Sequence, residues 1–158
     1  MLKILDLKTN HRSEPLGIDG VPYFGWKLCS SEKNVTQQAY QLTVEDVQTK
    51  EVVWDSGAVS SSQSSFADYA GAPLHSCTEY RWTVRVWDNH GECAAASADF
   101  ETAFLCTEDW KARWAESTLE RVPDPDYPIG ASCAPVLFRK NFRLSQQPVR
   151  ARLYSTAK

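Results

Sequence analysis

The sequence predicts an all-β sandwich of about seven strands, followed by a linker and two extra strands. Three features of the 158-residue chain point there. Apolar side chains recur at every second position in several short runs, the repeat of a strand with one face buried. Residues that tolerate or pre-set turn dihedrals break these runs at intervals of roughly 8–12 residues. With 42% apolar residues the chain carries enough to build a core, which excludes disorder as its class.

Taken in order, a short strand is expected at Lys3–Leu7, and Pro15 to Pro22 supplies Gly17, Asp19 and Gly20 for a reversal. In Tyr23–Cys29, Phe24, Trp26 and Leu28 share one face, and in Ala39–Asp46 the shared set is Tyr40, Leu42 and Val44. Shorter strands follow at Glu51–Trp54 and Ser64–Asp68, separated by Asp55-Ser56-Gly57 and closed by Gly71-Ala72-Pro73. The clearest alternation is Tyr80–Asp88, with Tyr80, Trp82, Val84 and Val86 on one face and Arg81, Thr83, Arg85 and Trp87 on the other. Asp88-Asn89-His90-Gly91 turns the chain towards a last strand at Asp99–Phe104.

The texture then changes. Cys106–Arg121 has a possible helical turn with Thr107 as its cap and Glu108 and Asp109 in the first turn, where the helix dipole favours acids. Val122–Pro135 holds Pro123, Pro125, Pro128 and Pro135 and reads as loop. Val136–Leu144 and Val149–Thr156 are strand-like and are split by Ser145-Gln146-Gln147-Pro148. Two strands are too few for a domain. The expected division is residues 1–105 as sandwich, 106–134 as linker and 135–158 as the truncated start of a second β-sandwich module, the chain stopping mid-pattern.

Charge and cysteine usage narrow the functional classes. A net charge of −3 gives no electrostatic case for nucleic acid or an anionic membrane as partner. Residues 135–158 hold six Lys/Arg and no acid, read as the solvated face of a strand. Cys29, Cys77, Cys93, Cys106 and Cys133 form no C-x-x-C pair and no ligand spacing with His11, His75 or His90, so no metal or other cofactor is expected. Reduced thiols, together with charges too early for a signal peptide, point to the cytoplasm. Asn34-Val35-Thr36 matches a glycosylation acceptor and is taken as coincidence.

The segment from Leu74 through Thr78 to Tyr80 carries a further signature. In immunoglobulin-like sandwiches a Tyr entering the sixth strand folds back, and its hydroxyl hydrogen-bonds backbone a few residues upstream. The stretch resembles that of fibronectin type III domains, over about Met1 to Leu105; the resemblance implies Tyr80 as this corner and Trp26 as a second-strand core tryptophan.

An ordered set of short matches resembles the N-terminal region of bacterial α-L-rhamnosidases. The set is Glu14-Pro-Leu-Gly-Ile-Asp19, Phe24-Gly-Trp-Lys-Leu28, Gln38-Ala-Tyr40, Trp54-Asp-Ser-Gly57 and Tyr69-Ala-Gly71. It continues with Tyr80 to Asp88, Phe100-Glu-Thr102, Asp109-Trp-Lys-Ala-Arg-Trp114, Leu137-Phe-Arg-Lys140 and Ala151-Arg-Leu-Tyr154. The resemblance implies a modular glycoside hydrolase with a fibronectin-like sandwich first, then a β-sandwich resembling carbohydrate-binding modules. A helical barrel with the inverting carboxylate pair would come later. That pair would lie beyond residue 158, so no catalytic residue is carried over.

The chain's own acids support no catalytic pair. Glycoside hydrolysis needs two carboxyl groups at a set separation across the sugar. Asp124 and Asp126 read as solvated loop acids, and Glu116 and Glu120 as a solvated helical face. The serines of Ser60–Ser65 have neither a Ser-His-Asp order nor a nucleophile elbow. Trp26 and Trp82 alternate with the apolar set and are expected in the core with Tyr80, whereas the face of Trp54 is left open. Trp87 beside Arg85, and Trp110 with Trp114 on one helical face, are expected as interface anchors.

Two functions remain open: an accessory module that packs against other modules of the parent enzyme, or an autonomous carbohydrate- or protein-binding domain. Aromatics buried under the linker favour the first, and exposed aromatics in a concave patch favour sugar binding. Residues 135–158 are expected either to fold back onto the sandwich, which their six basic side chains favour, or to self-associate with the same segment of another chain, because unpaired strand edges invite a partner.

Overall fold

A computed structural model of the chain describes residues 1–116 and 137–156. It divides into two compact units, Met1–Ala112 and Arg113–Lys158. The first contains seven strands: β1 (Leu2–Thr9), β2 (Tyr23–Ser30), β3 (Gln37–Asp46), β4 (Val52–Asp55), β5 (Ala67–Asp68), β6 (Glu79–Asp88) and β7 (Cys93–Glu101).

All the strand pairs are antiparallel, in a three-stranded sheet of order β1-β2-β5 and a four-stranded sheet of order β4-β3-β6-β7. The sandwich expected from the alternation is therefore present. The fourth strand joins β3 in the larger sheet, unlike constant-type immunoglobulin domains, where it lies with the first, second and fifth. Phe24 and Trp26 of β2 face Leu42 and Val44 of β3 and Tyr80, Trp82, Val84 and Val86 of β6 in one core. These are the alternating sets that the sequence singles out.

β1 shows how one residue shifts a face. Leu2 and Ile4 point inward, and strict alternation would bury Asp6 next. Instead the register with β2 slips between Leu5 and Lys8, with Asp6 at φ 52°. The bulge changes the parity of the strand, so Thr9 is buried and Asp6 stays outside. There its carboxylate meets Lys27 at 2.7 Å and Lys8 at 3.0 Å.

The last strand corrects the sequence reading: β7 is Cys93–Glu101 rather than Asp99–Phe104. Its inner residues Ala94, Ala96 and Ala98 lie opposite Val86, Val84 and Trp82. Large side chains from β6 fill the space that alanines leave, and this pairing overrides the low strand propensity of Ala. Residues beyond Glu101 leave the ladder, and Thr102 forms a parallel bridge with Ile18.

The expected helical turn after Leu105 shrinks to a 3-10 turn, Thr107–Asp109, in which Cys106 rather than Thr107 holds the N-cap position and no side chain caps it. A single uncapped turn does not propagate without a packed face. In the second unit, residues 137–156 form no strand, so the described parts of the two tail strands expected there are not strands. A lone hairpin is marginal in water, and Leu137, Phe138, Phe142, Leu144, Val149 and Leu153 are exposed.

Candidate functional site

Tyr80 forms the predicted corner. Its ring is fully buried and stacks with Phe100 at 5.5 Å, while its hydroxyl accepts the His75 backbone N–H at 2.9 Å. Burial pushes the Tyr80 hydroxyl above its ordinary pKa. Thr102 closes the corner from the far side, donating to the His75 carbonyl at 2.6 Å and accepting the Thr78 N–H at 3.0 Å. Three residues thus fix the loop between β5 and β6 to the end of β7.

Trp26 and Trp82 are both core residues, as their alternation predicts. Trp26 donates its indole N–H to Gln37 at 3.0 Å, and the Gln37 amide donates to the carbonyls of Ser61 and Gln63 at 2.9 and 2.6 Å. Gln37 therefore ties both sheets to the connection that crosses between them. Trp82 packs on Phe24 at 4.6 Å, and its buried indole N–H has no partner among the described residues. Trp54 proves to pack against the core, edge-on to Tyr69 at 5.1 Å.

The expected interface residues differ in exposure and setting. Trp87 is half-buried on the outer face of β6, opposite Ala39 and Cys93. Trp110 lies edge-on to Phe104 at 5.0 Å, while Trp114, in the second unit, is 70% exposed. The shared helical face expected for this pair does not exist, because the 3-10 turn ends before Trp110.

A different aromatic group, missed by sequence reasoning, stands on the surface of the sandwich. Phe66 stacks on Tyr23 at 5.4 Å, and the His11 ring meets Phe66 at 4.9 Å and Tyr23 at 5.2 Å, edge-on to both. Phe66 is 58% exposed and sits at φ 54°, a region that bulky side chains rarely occupy. No sequence signal marks Phe66, since left-handed phenylalanine is not a propensity.

Among the described residues no two carboxyls form an evident acid–base pair. Glu14, Glu79, Asp99 and Glu101 line an open cleft, but Asp99 is held by Arg81 at 2.7 and 2.9 Å. Glu116 is exposed, and Glu120, Asp124, Asp126 and Cys133 lie outside the described residues. Among the described residues no cluster of His, Cys, Asp or Glu could hold a metal ion.

Comparison with known proteins places this architecture. The family model described as "Rha78A-like, N-terminal immunoglobulin domain" matches residues 4–106. The chain is 34% identical over 151 residues to an α-L-rhamnosidase of Formosa agariphila, covering 91% of this chain and 16% of that protein. It is 35% identical over 130 residues to one from Streptomyces avermitilis, covering 77% of this chain and 13% of that protein. The crystal structure of the Streptomyces avermitilis α-L-rhamnosidase complexed with L-rhamnose superposes on 78% of this chain with a TM-score of 0.69 and 32% identity, covering 13% of that chain. An α-L-rhamnosidase structure from Dictyoglumus thermophilum gives a TM-score of 0.64 at 38% identity, over 70% of this chain and 13% of that one. This chain thus spans about one sixth or less of these relatives. With the two-sheet sandwich, the buried corner at Tyr80 and a family match over more than half its length, the chain belongs to the Rha78A-like N-terminal immunoglobulin domain family.

Proposed function

We propose that this chain is the non-catalytic N-terminal module of a longer glycoside hydrolase that removes terminal α-L-rhamnosyl groups, and that it works by packing against the other modules of that enzyme. One observation carries the reading: the match to α-L-rhamnosidases falls on their N-terminal immunoglobulin domain and on 13–16% of their length. The half-buried Trp87 and the Trp110–Phe104 pair supply aromatic anchors of the kind enriched in interface cores. Exposed free thiols at Cys29, Cys77, Cys93 and Cys106 fit a reducing, cytoplasmic setting.

The test is deletion of the module from the intact enzyme. The folded fraction should keep its hydrolytic chemistry while its melting temperature and soluble yield fall. An unchanged melting temperature contradicts the packing role, and lost chemistry at unchanged stability would place the module in the active site.

Self-association through residues 135–158 is a finer part of the proposal, supported by the exposed Phe138, Phe142 and Leu144. A dimer by solution mass that reverts to monomer on deleting these residues is expected. A monomer at every concentration counts against it.

A further inference from the structure

We propose that the His11–Tyr23–Phe66 cluster is a carbohydrate subsite that takes the apolar face of a neutral deoxyhexose of the α-L-rhamnosyl class. The proposal rests on the accessory-module reading and gives that module a ligand.

The first observation is a left-handed backbone at an exposed aromatic residue. Phe66 holds φ 54°, yet 58% of the residue remains exposed, so the core does not offset the conformational cost. Asn10 and His11 have positive φ at 49° and 62° for a local reason, as the central pair of the tight turn closed by Thr9 and Arg12, and that turn presents the His11 ring. Strained, outward-facing positions held by their surroundings are the pattern expected where a surface is shaped for a ligand.

The second observation is how firmly the rings are held. The Gln63 amide donates to the carbonyls of Ser65 and Phe66 at 3.0 and 2.8 Å, and Gln63 is in turn held through its own carbonyl by Gln37. Asn10 clasps Tyr23 on both sides, its N–H donating to the Tyr23 carbonyl at 3.0 Å and its side chain accepting the Tyr23 N–H at 2.9 Å. Tyr23 is also fixed in the ladder opposite Asp68. Such a surface binds without first ordering itself, which is the main cost of weak recognition.

The third is the chemistry of the patch. Phe66 on Tyr23 offers stacked rings, and His11 stands nearly perpendicular, at 70° to Tyr23 and 83° to Phe66, so the three form a corner. Their apolar chain neighbours Pro22, Phe24 and Ala67 are buried, and the neighbours left at least partly exposed in the chain and ladder are polar: Asn10, Arg12, Ser65 and Asp68. Protein interfaces bury on the order of 800 Å² per partner around an apolar centre, far more than three rings with a polar margin supply. A monosaccharide fits better, with one C–H face for the rings and hydroxyls at its rim for His11 and the Tyr23 phenol. A 6-deoxy sugar adds a methyl group to that apolar face.

The experiment is a titration of the 158-residue chain with methyl α-L-rhamnopyranoside, followed by amide NMR shifts and a melting curve. For a ligand of this size the expected dissociation constant is on the order of millimolar. Saturable shifts should centre on His11, Tyr23 and Phe66. Phe66→Gly removes the ring at a position where glycine is the better backbone residue, so it should weaken binding by about tenfold or more without lowering the melting temperature. Phe66→Trp, which keeps an aromatic face, should retain the shifts. The proposal is overturned by the absence of saturable shifts at these amides up to about 100 mM sugar, or by shifts that survive Phe66→Gly. Either result leaves the packing role standing, because that role is read from the stability of the intact enzyme.

Discussion

Tyr80 shows how much a single hydroxyl can fix. Tyr80→Phe deletes only the acceptor of the His75 N–H, and should destabilise the sandwich by about 1–3 kcal/mol as that donor loses its partner. A denaturant midpoint unchanged within error would show that the corner bears no load. Asp6 behaves differently because it is exposed. The side-chain hydrogen bond from Lys27, then that from Lys8, holds its carboxyl below its usual pKa of 3.8. A carboxyl depressed in the folded state stabilises it at higher pH, and this support is lost as pH falls through the folded value. Stability should therefore decline below about pH 4, and Asp6→Asn, which tolerates the positive φ, should flatten that decline and its dependence on salt. An acid limb identical in the variant and the parent chain would contradict this. Tyr80, Trp26 and Trp82 were legible because alternation alone assigns their face. Gln37 was not: a polar residue opening a strand looks the same whether it is solvated or bonds both sheets. Phe66 and His11 were illegible because their ring contact joins residues far apart in the sequence, and neither sits in an alternating run.

Whole elements were legible in proportion to the size of their side chains. β2, β3 and β6 carry large apolar residues at every second position, and their bounds moved by only a residue or two from those read from the sequence. β7 was misplaced because its inner face is alanine, which carries little apolar signal until Trp82, Val84 and Val86 stand opposite. The tail erred the other way: alternation was present, but a strand exists only through its partner. The connection from β5 to β6 depends on one close approach. A Cβ on Gly71 would come within 2.5 Å of the Tyr69 hydroxyl oxygen and 2.7 Å of the Trp54 Cβ. Gly71→Ala should therefore displace Tyr69, break its 2.7 Å hydrogen bond to the Ala72 carbonyl and cost about 1–3 kcal/mol. Gly20→Ala, with no atom within 4 Å of the added carbon, serves as the neutral control. Equal melting temperatures for the two variants would show that the approach is not confining.

For the molecule as a whole, the sandwich boundary read at residue 105 lies one residue from the end of the family match at 106 and within the compact unit ending at Ala112. The core is closed by residues up to Thr102, and beyond it Ala103 and Leu105 still hydrogen-bond Ile18 and Ser76 while Phe104 meets Trp110. A chain ending at Ala112 should accordingly melt in one cooperative step at the temperature of the full chain's sandwich. The most direct test of the central claim, a folded module without chemistry of its own, is hydrolysis of an aryl α-L-rhamnoside by the purified 158-residue chain. The expected rate is that of the blank, at any pH where the sandwich is folded. Turnover above the blank that rises with chain concentration and disappears when the sandwich unfolds would contradict it.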